Sequence, residues 1–200
     1  MRNSKIQVLV ECALAVALSV VLNLIAVRLP INVAGGSISF TMLPVAIVAL
    51  RRGAVTGATA GALFGLFDLL MEPYIVHWAQ VIFDYPLPYL LFGLGVGCFA
   101  RAYTQVSGDT GDSPSQQMVT RGSLFIVLAF LIGGLLRIVS HVLSGVIFFA
   151  EYAGDQNVWI YSLVYNLSYL APSLVASFIL ALIITPILAR AVPVARAKRP

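Results

Sequence analysis

"VIFDYPLPYLLFG", residues 81–93, sets an acid, Asp84, and two prolines, Pro86 and Pro88, inside an otherwise apolar run. It reads as a broken helix carrying a costly carboxylate, and composition says what kind of chain holds it. Of 200 residues 60% are hydrophobic and only 10% charged, and the mean hydropathy is +0.97, far outside the soluble range.

Apolar stretches long enough to cross a hydrocarbon core of roughly 30 Å recur along the chain. They predict an all-α integral membrane protein, a single bundle of six transmembrane helices at about 7–29, 38–50, 53–71, 76–100, 123–149 and 158–189. The first is too long for a secretory signal and is kept as a structural span. Cys12 and Cys98 fall within spans and are expected to pack as free thiols.

Arg2, Lys5, Arg51, Arg52, Arg101, Arg121, Arg190, Arg196, Lys198 and Arg199 all fall on one side of a six-span chain. The positive-inside rule makes that side cytoplasmic, with both termini on it. Basic residues placed at span ends are topology signals, so the net charge of +4 does not point to nucleic acid. Segment 103–120, "YTQVSGDTGDSPSQQMVT", reads as a flexible cytoplasmic linker between two three-helix halves.

Glycines at 53, 57, 61 and 65 recur every fourth residue and give span three a face for close helix packing. Ala13 and Ala17 form a similar small pair on span one, for internal packing or for docking a partner subunit.

Ionisable residues inside spans are expensive and mark function by default. Counting from the outer ends, Asp84 in span four, His141 in span five and Asn166 in span six each lie about 12 Å deep. They converge in the outer third of the bilayer. Arg137, Ser140, His141 and Ser144 form one stripe on span five, and Ser162, Asn166 and Tyr169 another on span six.

Pro86 and Pro88 are expected to free the carbonyls of Ile82 and Asp84, a loss tolerated where a polar cavity satisfies them. Tyr74, Trp78, Tyr85, Phe148, Phe149, Trp159, Tyr161 and Tyr165 lie at or above the same depth. Some belong to an interfacial belt; the rest suit a flat, cationic ring held between aromatic faces. The competing structural reading pairs Asp84 with Arg137 and leaves His141 as a core residue.

Several stretches carry a resemblance: "ECALAVALS" (11–19), "LPVAIVALRRG" (43–53), the glycine ladder, "EPYIVHWAQVIFDY" (72–85), "HVLSGVIFFAEYA" (141–153) and "YSLVYN" (161–166). In this order, over about residues 5–190, they resemble the thiamine-specific substrate-binding (S) components of energy-coupling factor (ECF) transporters, a vitamin-uptake class of ABC transporter. The resemblance implies a thiamine site near the extracellular face, beneath a lid formed by the first external loop, about 30–40. It implies that Asp84 is the family's acid and Tyr85 its following aromatic. His141 and Asn166 match polar contacts, and Tyr74 and Tyr161 match ring-packing residues. Ala13 and Ala17 match the motif that docks on the membrane scaffold subunit.

The chain departs from the pattern in three places. Asp84 stands where the family has glutamate, Phe64 and Phe149 stand where it has tryptophan, and the first loop lacks a tryptophan. A shorter acid and weaker stacking faces leave thiamine favoured and keep a precursor, or another vitamin such as riboflavin, as alternatives.

No G-x-x-x-x-G-K-[ST] loop occurs, so ATP use falls to two partner ATPase subunits, with no cofactor bound by this chain. No metal site or enzyme motif stands out. The expectation is therefore a non-enzymatic, multi-pass subunit of a prokaryotic plasma membrane. A proton-coupled secondary transporter using Asp84, His141 and Arg137 is the rival from another class.

Overall fold

A computed structural model describes residues 4–28, 37–107 and 116–192. Among these described residues five helical stretches are long and apolar enough to cross a membrane, Lys5–Leu24, Ala54–Met71, Trp78–Gly97, Arg121–Phe148 and Val158–Ala191. They lie in α1 (Ser4–Leu24), α3 (Ala54–Met71), α4 with α5 (Trp78–Asp84 and Pro86–Gly97), α7 (Gln116–Phe148) and α8 (Val158–Ala191). Short elements complete the bundle: strands Val27–Arg28 and Ser37–Ile38, α2 (Met42–Arg52), α6 (Ala100–Ser107) and a 3₁₀ turn, Ala150–Ala153.

The second expected span is the element that differs most. α2 has 11 residues, roughly 16 Å of rise and about half a hydrocarbon core. It is short because it runs through the middle of the bundle. Met42, Val45, Ala46, Ala49 and Leu50 are buried with Phe92, Val96, Ile126 and Phe130 in one core cluster.

Glu11 of α1 clamps its far end, accepting from Arg51 Nε at 3.2 Å and Arg52 Nε at 2.9 Å. Glu11→Ala leaves two partly buried guanidinium groups facing each other. It is expected to cost about 2 kcal/mol, read as a lower midpoint of thermal unfolding in detergent. An unchanged midpoint would assign the pair no structural role.

Gly53 does not belong to the glycine face of α3. It is the hinge between α2 and α3, with φ +96°, a backbone conformation that side chains other than glycine rarely adopt. Its neighbours in the ladder do pack. Cβ atoms at Gly57 and Gly61 would overlap the carbonyl oxygens of Gly93 and Tyr89 on α5, and one at Gly65 that of Tyr85, just before it.

Span four is two helices. The break falls at Tyr85 (φ −114°, ψ −82°), and Pro86 occupies the first position of α5, where a missing N–H costs no helical bond. The prolines therefore start a helix rather than bend one. Beside the break, the Phe83 carbonyl accepts from Ser140 Oγ at 2.8 Å.

The polar segment 103–120 is not a linker throughout. Residues 100–107 form α6 and α7 begins at Gln116. Tyr103 is 2% exposed in the main core, so one buried ring anchors a segment whose composition looks solvated. Only 108–115 lie outside the described residues. Span one ends at Leu24 rather than 29, because Val27 pairs antiparallel with Ile38.

Most of the lid expected at 30–40 lies outside the described residues. Its last part is anchored, since the Ser39 N–H donates to Ser173 Oγ at 3.1 Å. Cys12 is buried as expected, but Cys98 is exposed at the end of α5 and does not pack inside; both are free thiols.

Candidate functional site

One end of the bundle encloses a cavity of about 170 Å³. It lies between the ends of α1 and α3, the α4–α5 break, the last turns of α7 and the first turns of α8. Asp84, His141 and Asn166, matched in depth on three separate helices, line it together. His141 Nδ1 lies 3.5 Å from Asp84 Oδ1. Asn166 Nδ2 donates to the His141 carbonyl at 3.3 Å and to the Ser162 carbonyl at 2.9 Å, while its Oδ1 accepts from the Tyr169 hydroxyl at 2.6 Å.

Asp84 is aimed by Gln80, one turn earlier on α4. Gln80 Nε2 donates to Asp84 Oδ2 at 2.7 Å and to the Tyr74 carbonyl at 3.1 Å, and Gln80 Oε1 accepts from the Val76 N–H at 3.3 Å. At 1% exposure this amide has nowhere else to turn, so the carboxylate is held in one orientation. His141 Nε2 is buried with no partner among the described residues. That atom is the open polar position of the Asp84–His141 pair.

Arg137 does not pair with Asp84. Its guanidinium carbon sits 4.1 Å from the centre of the Tyr89 ring, and His141 takes the place beside the acid. This removes the reading of Asp84 and Arg137 as a structural ion pair.

The walls are aromatic. Tyr74 stacks on Phe149 with centroids 6.1 Å apart and 22° between planes. Its hydroxyl lies 3.0 Å from that of Tyr152, a hydrogen bond that raises the Tyr74 phenol above its ordinary pKa. Tyr161 stacks on Tyr165 at 6.1 Å, and Tyr165 meets Tyr169 edge-on at 6.0 Å. The Tyr85 hydroxyl accepts from the Tyr74 N–H at 2.7 Å and donates to the Glu72 carbonyl at 3.0 Å, tying the helix break to the loop above it.

Of the expected site residues, Asp84, Tyr85, His141, Asn166, Tyr74, Tyr161 and Phe149 all line the cavity. Phe64 does not. It is fully buried and packs edge-on against Tyr89 at 4.6 Å, one layer behind the wall. Trp78 and Trp159 are 75% and 56% exposed and fit the interfacial belt.

Sequence reasoning missed Asp68, Gln80, Tyr89 and Asn23 as lining residues. Asp68 accepts from Asn23 Nδ2 at 2.7 Å and from the Tyr89 hydroxyl at 3.1 Å. A signal for it existed: Asp68 lies three residues after Gly65 and so shares the face that α3 turns to α5. Among the described residues it brings, with Glu72 and Asp84, three carboxylates to a lining that holds one guanidinium, Arg137. Among the described residues no group of three or more His, Cys, Asp or Glu side chains could hold a metal.

Comparison with known proteins agrees with this architecture. The thiamine transporter protein family matches residues 9–193. The thiamine transporter ThiT of Bacillus subtilis is 33% identical over 171 residues, 84% of each chain. That of Lacticaseibacillus paracasei is 29% identical over 170 residues, 82% of this chain and 80% of its own. The solved structure of ThiT from Listeria monocytogenes superposes with a TM-score of 0.72 at 26% identity, covering 96% of this chain and 97% of that one. With a family match over nearly its whole length, several membrane-length helices and a buried polar cavity at one end, the chain belongs to the thiamine transporter family and is a multi-pass membrane protein.

Proposed function

We propose that this chain captures thiamine outside the cell and serves as the substrate-binding (S) subunit of an ATP-driven ECF transporter in a prokaryotic plasma membrane. The observation that carries the reading is the cavity, where Asp68, Glu72 and Asp84 stand among tyrosine faces against one guanidinium among the described residues, that of Arg137. Thiamine has a permanently cationic thiazolium ring and a flat aminopyrimidine. Carboxylates and aromatic faces bind those two features.

In this reading Asp84, fixed by Gln80, accepts from the aminopyrimidine edge, and His141 Nε2 with Asn166 completes the polar contacts. Tyr74, Tyr85, Phe149 and Tyr161 enclose the rings, while Phe64 holds Tyr89 from behind. α2 is the sixth, shortened membrane element, which leaves both termini cytoplasmic. The chain binds no cofactor.

Energy comes from a scaffold membrane subunit and two ATPases, since the chain has no phosphate loop of its own. Ala13 and Ala17 are exposed on α1, on the side away from the buried Ala15 and Val16, where a scaffold helix can approach closely.

Uptake of labelled thiamine tests the coupling, in cells that lack their own thiamine carrier. Uptake is expected only when the scaffold and both ATPases are produced with this chain, and it should vanish when the ATPase phosphate-loop lysines are replaced. Uptake by the chain alone that collapses with an uncoupler would instead establish a proton-coupled carrier.

A further inference from the structure

One part of the cavity wall is not helical. Ser37 lines the cavity from a strand of two residues, Ser37–Ile38, whose partner in a two-stranded sheet is Val27–Arg28. An isolated pair of strands is marginally stable at best, so the place of this wall is set by what ties it to the helices. Where the strand runs on into α2, Ser19 Oγ donates to the Thr41 carbonyl at 2.8 Å, and Ser39 Oγ lies 2.9 Å from Thr41 Oγ1. Toward α8, the polar ties among the described residues run through one hydroxyl, that of Ser173.

Ser173 is 2% exposed. Its Oγ accepts from the Ser39 N–H at 3.1 Å and donates to the Tyr169 carbonyl at 2.7 Å, with the Ser37 carbonyl farther off at 3.4 Å. A hydroxyl has one proton and two lone pairs. The bond to a carbonyl one turn back spends the proton along α8 and leaves a lone pair for the strand. Ser39 is itself buried, so its N–H has an acceptor only while that hydroxyl is there.

The same turn of α8 reaches the ligand side. Tyr169, whose carbonyl Ser173 holds, lines the cavity edge-on to His141 at 6.2 Å, and its hydroxyl donates to Asn166. One helical turn therefore carries a ring of the cavity wall and the tether of the strand beside it.

We propose that Ser173 is a positioning residue that sets how fast the captured molecule leaves. It stands behind the lining and acts through the backbone of Ser39, which holds Ser37 in the wall. The part of a fold with the fewest ties opens at the least cost, so the bond at Ser173 enters the barrier to release. The inference rests on the thiamine reading above for the identity of the ligand, and on no particular pose of it.

The test is release of labelled thiamine from the purified chain in detergent, chased with excess unlabelled thiamine, together with the association rate. Ser173→Ala is expected to release about 10-fold faster with association within about twofold of the wild type, so that the loss of affinity lies in dissociation. Ser39→Pro removes the N–H from the strand side and leaves α8 intact, which keeps the proposal testable if Ser173→Ala does not fold. It should also release at least about 10-fold faster. The double variant should be no faster than Ser39→Pro alone, since both changes break the same bond. Without ligand, amide hydrogen exchange should rise at residues 37–41 of Ser173→Ala and stay unchanged at Phe92 and Val96 in the core.

Release from Ser173→Ala within about twofold of the wild type would overturn the proposal. So would a double variant whose acceleration is the product of the two single ones. Exchange that rises equally in the core would make Ser173 a packing residue. A wild type that binds no thiamine would sink the thiamine reading itself, whereas tight thiamine binding with unchanged release in the variants would sink this inference alone.

Discussion

Alanine in place of Asp84 is expected to weaken thiamine binding about 100- to 1,000-fold, or about 3 to 4 kcal/mol. The carboxylate is half of a close pair, 3.5 Å from His141 Nδ1, and Gln80 holds it at 2.7 Å. Removing it takes away the acceptor for the aminopyrimidine edge and strands both neighbours in a buried site. Asp84→Glu separates chemistry from geometry, since it supplies the longer acid of the family pattern. Gln80 still has a carboxylate to hold, so that variant should stay within about tenfold of the wild type. Titration of the three proteins with thiamine reads the outcome. A change of less than threefold in Asp84→Ala would remove the acid from the site.

The second large effect is expected far from any ligand. Gly61→Ala places a methyl group on the carbonyl oxygen of Tyr89, and backbone cannot move aside as a side chain tip can. α3 and α5 must separate, at a cost of about 3 kcal/mol. In lipid no hydrophobic drive restores the lost contact, because tails and side chains are equally apolar. α5 also carries Tyr89, and Tyr85 lies at its start, so binding should fall together with the thermal midpoint in detergent. Val55→Ala, on the 80% exposed side of α3, is the control and should change neither. A wild-type midpoint in Gly61→Ala would mean that the helices do not touch there.

Much of this was legible in the sequence because helical rise is nearly invariant. Asp84, His141 and Asn166 could be matched in depth by counting, and the structure brings them together. What counting cannot give is lateral direction. Arg137 shares a stripe with His141, yet whether it turned to Asp84 or to Tyr89 depended on how α5 meets α7. Phe64 sits behind Tyr89 for the same reason.

The break in span four was visible, but its place was not. A proline reads alike as a kink or as a first helical residue until the preceding backbone is known, and that backbone turns at Tyr85. The second expected span, 38–50, takes shape as the 11-residue α2, and its apolar composition reflects packing in the core as much as contact with lipid. Tyr103 misleads in another way, one ring anchoring a stretch whose polar composition looked unstructured. Asp68 was overlooked although it lies on the glycine face, since the small residues were read only as packing and not as marking the face on which an acid one turn further along α3 must also lie.

The central claim is that the cavity binds thiamine through an acid-rich aromatic site. Isothermal titration of the purified chain in detergent with thiamine, riboflavin and a thiamine precursor lacking the thiazolium ring tests it most directly. Saturable binding of one thiamine per chain is expected, with the precursor weaker and riboflavin not bound. No thiamine binding, or riboflavin binding more tightly than thiamine, would contradict it.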